Sequence, residues 1–99
     1  MKVVLTQEAR DDLERIGDHI AEENPARARG FVRELLEAAR GIGRTPRAFQ
    51  QVPRYARHDV RRRVHGAYLI FYRIDEDGVS ILHILHGSRD YEALLFPGD

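Results

Sequence analysis

Three arginines in a row, Arg61-Arg62-Arg63, stand inside the segment DVRRRVHG, and Lys2 is the single lysine among 16 basic residues. A guanidinium is permanently charged and forks onto phosphate or carboxylate oxygens, but it is a poor proton donor or acceptor. The chemistry on offer is therefore anion recognition. On an extended backbone Arg62 shares a side with Val60 and Val64, while Arg61 and Arg63 share the other. One reading is an edge strand defended by charge. The other is an anion-recognition strip completed by Arg73 and Arg89, reading RNA phosphate or the carboxylates of an acidic peptide. The histidines do not make a metal site. His83 and His86, three apart on a strand, face opposite sides, and His19, His58 and His65 have no ligand spacing. No metal and no cofactor are expected. His83 reads as a histidine at the edge of the core. His86 precedes Gly87-Ser88-Arg89, where a side chain reaches a cleft, so a general acid/base role stays open for it. Tyr68 and Tyr72 read as packing residues with tethered hydroxyls. No nucleophile–base pair, phosphate loop or paired-carboxylate site is visible.

The zero net charge conceals an uneven distribution. Residues 1–40 carry 7 basic and 9 acidic side chains, residues 41–73 carry 8 and 1, and residues 74–99 carry 1 and 6. A basic middle attracts polyanions or acidic protein segments. A biased genome base composition would produce the same arginine excess. With 99 residues the chain fits one domain, and with 42% apolar residues it can bury a core. It has no cysteine, which excludes disulfides and thiolate metal sites and suits a reducing cytoplasm. No apolar run approaches the roughly 20 residues needed to span a bilayer, and MKVVLTQEAR is no signal peptide. A soluble cytoplasmic protein with no membrane association is expected.

The elements that must position these side chains follow from periodicity and punctuation. Lys2–Leu5 reads as a short strand. Thr6 caps a helix to about Glu23, with Ala9, Leu13, Ile16 and Ile20 as its apolar stripe and Asp12 assigned to the polar side. Asn24-Pro25 ends that helix and starts a second, Asn24 as cap and Pro25 at the first position. The second carries Ala28, Phe31, Val32, Leu35, Leu36, Ala39 and Ile42 on a broad face and stops at Gly41, Gly43 and Pro46. Residues 44–56 read as a loop with Phe49 plugging the core. Three antiparallel strands follow in meander order, about Arg57–His65, Ala67–Asp75 and Val79–His86, joined at His65-Gly66 and Asp75–Gly78. Ser88–Leu95 forms one or two helical turns, with Ser88 as cap. The fold class is α+β: an N-terminal strand, a long antiparallel helical hairpin on one face of a three-stranded meander, and a short C-terminal helical segment.

The last two strands are apolar on both sides. Tyr68, Ile70, Tyr72 and Ile74 point one way, and Leu69, Phe71 and Arg73 the other. On the next strand, alternation puts Val79, Ile81, His83 and Leu85 against Ser80, Leu82, Ile84 and His86. Such strands are covered twice, and one helical hairpin covers one face. The tail, through Leu94, Leu95 and Phe96, covers part of the second. A protein partner is expected on the rest, where burying ~400 Å² would contribute roughly 10 kcal/mol gross at about 25 cal/mol per Å². The alternative is a tail that seals the face unaided.

Several segments together resemble a known family. They are Leu5–Ala9, Ala9-x-x-x-Leu13-x-x-Ile16, Ile20–Pro25, Tyr68-x-Ile70-x-Tyr72-Arg73-Ile74 and Ile84–Asp90. Their order and spacing, over nearly the whole chain, resemble ParE-type toxins of the RelE/ParE superfamily. The resemblance implies the toxin of a type II toxin–antitoxin pair, which arrests growth until a ParD-like or other small DNA-binding antitoxin neutralises it. Operator DNA would be reached through that antitoxin only. RelE-like members are ribosome-dependent mRNA endoribonucleases, and ParE-like members inhibit DNA gyrase. Carried over residue by residue, RelE's strand lysines fall near Val60 and Arg62, and its arginine after the Gly-Tyr pair falls at Leu69. Val60 and Leu69 can neither hold phosphate nor move a proton, so the resemblance favours gyrase inhibition without catalysis. A ribonuclease is the alternative, and would have to be built from Arg62, His86 and Arg89. The antitoxin's expected contacts are Arg57, Arg61, Arg63, Leu69, Phe71, Arg73, Leu82 and Ile84.

Overall fold

The structure, a computed structural model, describes residues 1–53 and 59–96. Strand β1 (Val3–Leu5) leads into helix α1 (Gln7–Glu23) and helix α2 (Pro25–Gly41), followed by a 3-10 turn at Ile42–Arg44. Strands β2 (Val60–His65), β3 (Tyr68–Asp75) and β4 (Gly78–His86) then form a meander, and a short helix α3 (Tyr91–Leu95) closes the described chain. The fold is the α+β arrangement expected.

The helix boundaries are set by capping. Thr6 Oγ1 accepts from Ala9 N at 3.1 Å, and the same hydroxyl donates to Ile81 O at 2.9 Å, so one side chain starts α1 and pins it to β4. Asn24 Oδ1 accepts from Arg27 N at 3.1 Å, and Pro25 occupies the first turn of α2, where no backbone donor is lost. The tail is capped differently from the expectation. Helix α3 begins after Asp90 with no side-chain cap, and Ser88, two residues before the cap position, meets His86 instead: its N–H donates to His86 Nδ1 at 3.1 Å and its Oγ lies 2.8 Å from the same atom.

The sheet order is β1-β4-β3-β2. Strand β1 lies parallel to β4, pairing Val3 with Val79 and Leu5 with Ile81, while the other pairings are antiparallel. The helical hairpin packs on one face, over Ile70, Tyr72, Val79, Ile81 and Ile84. Phe49 seals that layer, edge-on to Tyr72 with ring centroids 6.4 Å apart, as its loop position suggested. On the other face Val52, Val60, Phe71, Leu85 and Phe96 form a second apolar cluster. Both faces of the central strands are thus covered by the chain itself over their middle.

One register detail corrects the strict alternation. Phe71 pairs with His83, but Tyr72 pairs with Ile81, leaving Leu82 as the extra residue of a β-bulge. Beyond the bulge the sides exchange. Ile84 therefore joins Val79 and Ile81 against the helices, and Leu85 joins Leu82 on the tail side. Ile84, expected on the open face, is buried at 1% exposure.

Candidate functional site

The arginine row is divided by the pleat between two different tasks. Arg61 and Arg63, opposite Tyr72 and Ile70, reach over the helix side. Arg63 Nη1 donates to Ala38 O near the end of α2 at 2.9 Å, and its guanidinium lies 4.9 Å from the Phe49 ring centroid. Arg61 Nη1 donates to Phe49 O at 2.9 Å and Arg47 O at 3.3 Å. These two hold the Pro46–Phe49 loop and the end of α2 onto the sheet. Arg62 and Arg73, opposite Phe71 and Val60 respectively, belong to the tail side, where Arg73 is exposed and Arg62 half-buried.

The tail covers the tail side incompletely. Tyr91 packs its ring 4.9 Å from that of Phe71, and Phe71 and Leu85 are closed off. Leu69 and Leu82 remain half-buried, and Val64, opposite Leu69, is 62% exposed. What stays open is Val64 with part of Leu69 on one side of the closed middle and part of Leu82 near the bulge on the other, with Arg62 and Arg73 on the same face. Of the expected antitoxin contacts, Leu69, Leu82 and Arg73 are accessible on this face. Phe71 and Ile84 are buried, Arg61 and Arg63 sit on the opposite side, and Arg57 lies outside the described residues, as does His58.

The open edge of β4 holds a constellation that the sequence did not announce. Strand β1 ends opposite Ile81, so beyond it Ile84 N has no strand neighbour on that side. Asp12 takes the neighbour's place. Its Oδ2 accepts from Ile84 N at 2.9 Å and lies 2.7 Å from His83 Nδ1, and its Oδ1 lies 3.4 Å from Arg15 Nη1. Asp12 is 3% exposed, which corrects its assignment to the polar side of α1. The signal was there: Asp12 follows Ala9 by three and precedes Ile16 by four, both on the apolar stripe. His83 is half-buried beside it, a core-edge histidine as read.

Next to this buried carboxylate lies a cleft of about 280 Å³ between α1 and the end of β4. Ile16, Tyr68 and Ile84 line it, with Arg15, His19, His86 and Arg89 around them. His86 is edge-on to Tyr68, with ring centroids 5.3 Å apart. The backbone N–H of Ser88 can only donate, so His86 Nδ1 accepts it, and the neutral ring carries its proton on Nε2. His86 and Arg89 both line this cleft. Arg62 is not with them. It belongs to the tail side, two strands away and three register positions along, which is roughly 10 Å in each direction.

A set of three or more His, Cys, Asp or Glu side chains able to hold a metal ion is not found among the described residues. Nor, among them, is any helix long and apolar enough to cross a membrane.

The family model described as the ParE toxin of the type II toxin–antitoxin system, parDE, matches residues 3–91. The chain belongs to the ParE toxin family. The resemblance read in the segments from Leu5 to Asp90 is therefore confirmed, and this ParE-type toxin is matched from β1 into the start of α3. Among curated proteins none matches it. Its fold is similar to that of a chain from the chromosomal ParDE TA system of P. aeruginosa, with a TM-score of 0.75 at 22% identity. That match covers 87% of this chain and 95% of the other.

Proposed function

We propose that this ParE-type toxin acts in the cytoplasm as a non-enzymatic inhibitor of DNA gyrase, neutralised by a cognate antitoxin that folds onto the tail side of its sheet. The separation of Arg62 from His86 and Arg89 carries the non-enzymatic reading. An RNA-cleaving site needs its acid, base and phosphate-holding groups within a few ångströms of one scissile bond. Here Val60 is buried and Leu69 is apolar, and the one basic residue at a RelE-like strand position faces away from the histidine. The antitoxin's place is supported by Val64, Leu69 and Leu82, partly open on the same face as Arg62 and Arg73, which suits a segment carrying apolar anchors and carboxylates.

A supercoiling assay with purified toxin and gyrase tests the target. Loss of supercoiling with accumulation of cleaved DNA is the expected result, and full supercoiling at saturating toxin overturns it. In parallel, ribosomes translating a defined mRNA should leave it intact. Codon-phased cleavage abolished by His86→Ala or Arg89→Ala would establish the ribonuclease instead. For the antitoxin, Arg62→Glu together with Arg73→Glu should weaken the complex at least tenfold, and an unchanged affinity would move the interface elsewhere.

A further inference from the structure

The cleft between α1 and the end of β4 holds His86 and Arg89, which gyrase inhibition leaves without a role, and its composition is specific. Its basic side chains have few partners among the described residues. The Arg89 guanidinium and the His19 imidazole take no hydrogen-bond or ion-pair partner among the described residues. Among the described residues Arg15 has only its 3.4 Å contact with Asp12, and His86, held through Nδ1, keeps Nε2 as a donor. Among the described residues Asp12 is the one carboxylate lining this cleft, and its Oδ2 is already taken by Ile84 N and His83. Two guanidiniums and two imidazoles around an apolar floor suit a ligand with a concentrated double negative charge and a small flat body. A carboxylate supplies one charge, whereas a phosphate monoester carries about −1.5 to −2 at neutral pH and three acceptor oxygens. The volume, about 280 Å³, stands near the lower end of ligand pockets, roughly 300 Å³. Tyr68 and Ile16 offer the flat, apolar contacts a base needs.

We propose that this cleft binds a nucleoside monophosphate, the phosphate between Arg15, Arg89 and the two histidines and the base against Tyr68 and Ile16. The group is either a free mononucleotide or the 5′-phosphorylated end of a nucleic-acid strand.

Isothermal titration of the purified toxin with a nucleoside monophosphate, and separately with the matching nucleoside, tests the site. The monophosphate binds and the nucleoside does not. Arg15→Ala and Arg89→Ala, both exposed side chains, each weaken binding about ten- to hundredfold, while Arg33→Ala, an exposed arginine on α2, leaves it unchanged. Short oligonucleotides with a 5′-phosphate or a 5′-hydroxyl separate the two sources. Selective binding of the phosphorylated strand at least as tightly as the mononucleotide identifies a strand end, and weaker binding identifies the free nucleotide. Absence of monophosphate binding, equal loss in Arg33→Ala, or equally tight binding of an acidic peptide overturns the proposal.

Discussion

At the scale of single residues, Asp12 shows how one buried carboxylate replaces a missing strand. The Ile84 amide is buried at the sheet edge and must be satisfied. Asp12→Ala leaves it without a partner and strands His83, so a loss of about 1–3 kcal/mol in unfolding free energy is expected by chemical denaturation. Asp12→Asn keeps an acceptor and should lose less. Tyr72 makes a second residue-scale case. Its ring is fully buried, its hydroxyl donates to Pro46 O, and burial pushes the phenol's pKa up. A raised pKa means the folded state resists ionisation that the unfolded chain undergoes near pH 10. The resulting stability is present below that pH and is lost as pH rises through the phenol's folded-state range. Tyr72→Phe should flatten this alkaline limb in a pH series of thermal melts.

At the scale of elements, the seating of β1 depends on two close backbone approaches at its start. Gly78 has φ 145°, and a Cβ there would collide with the Lys2 carbonyl oxygen, while Val79 N donates to that same oxygen at 2.8 Å. Gly43 is similarly pressed against the backbone of Met1. Gly78→Ala should therefore cost more than the usual ~1 kcal/mol of a glycine replacement, with faster hydrogen exchange concentrated at β1. Helix starts were legible because Thr6 and Asn24-Pro25 are local signals, each read within three residues. The bulge at Leu82 was not, since it depends on how β4 meets β3, and one inserted residue sends Ile84 to the opposite side.

At the scale of the whole molecule, two apolar layers share one four-stranded sheet, and among the described residues the thinner layer is closed by α3, Phe96 and Val52. Phe96→Ala should destabilise the fold by about 3 kcal/mol and increase binding of ANS. Stability should be recovered when the antitoxin is added, because a ligand that binds only the folded chain shifts unfolding by mass action. A toxin indifferent to Phe96→Ala would mean that the tail contributes nothing to closing the sheet.

Sequence determined what periodicity and caps encode: the α+β order, the helical hairpin, the meander and two apolar faces on β3 and β4. Membership of the ParE toxin family was legible too, because the resemblance lies in the spacing of residues along the chain. Tertiary structure decided what depends on partners distant in sequence. It paired β1 with β4, buried Asp12 beneath an unpaired strand edge, and used Arg61 and Arg63 to tie down a loop and a helix end. It also set Arg62 on the opposite side of the sheet from His86. Local propensity acts over a few residues, whereas the facing of a side chain is fixed by strand register and by which surface must be excluded from water.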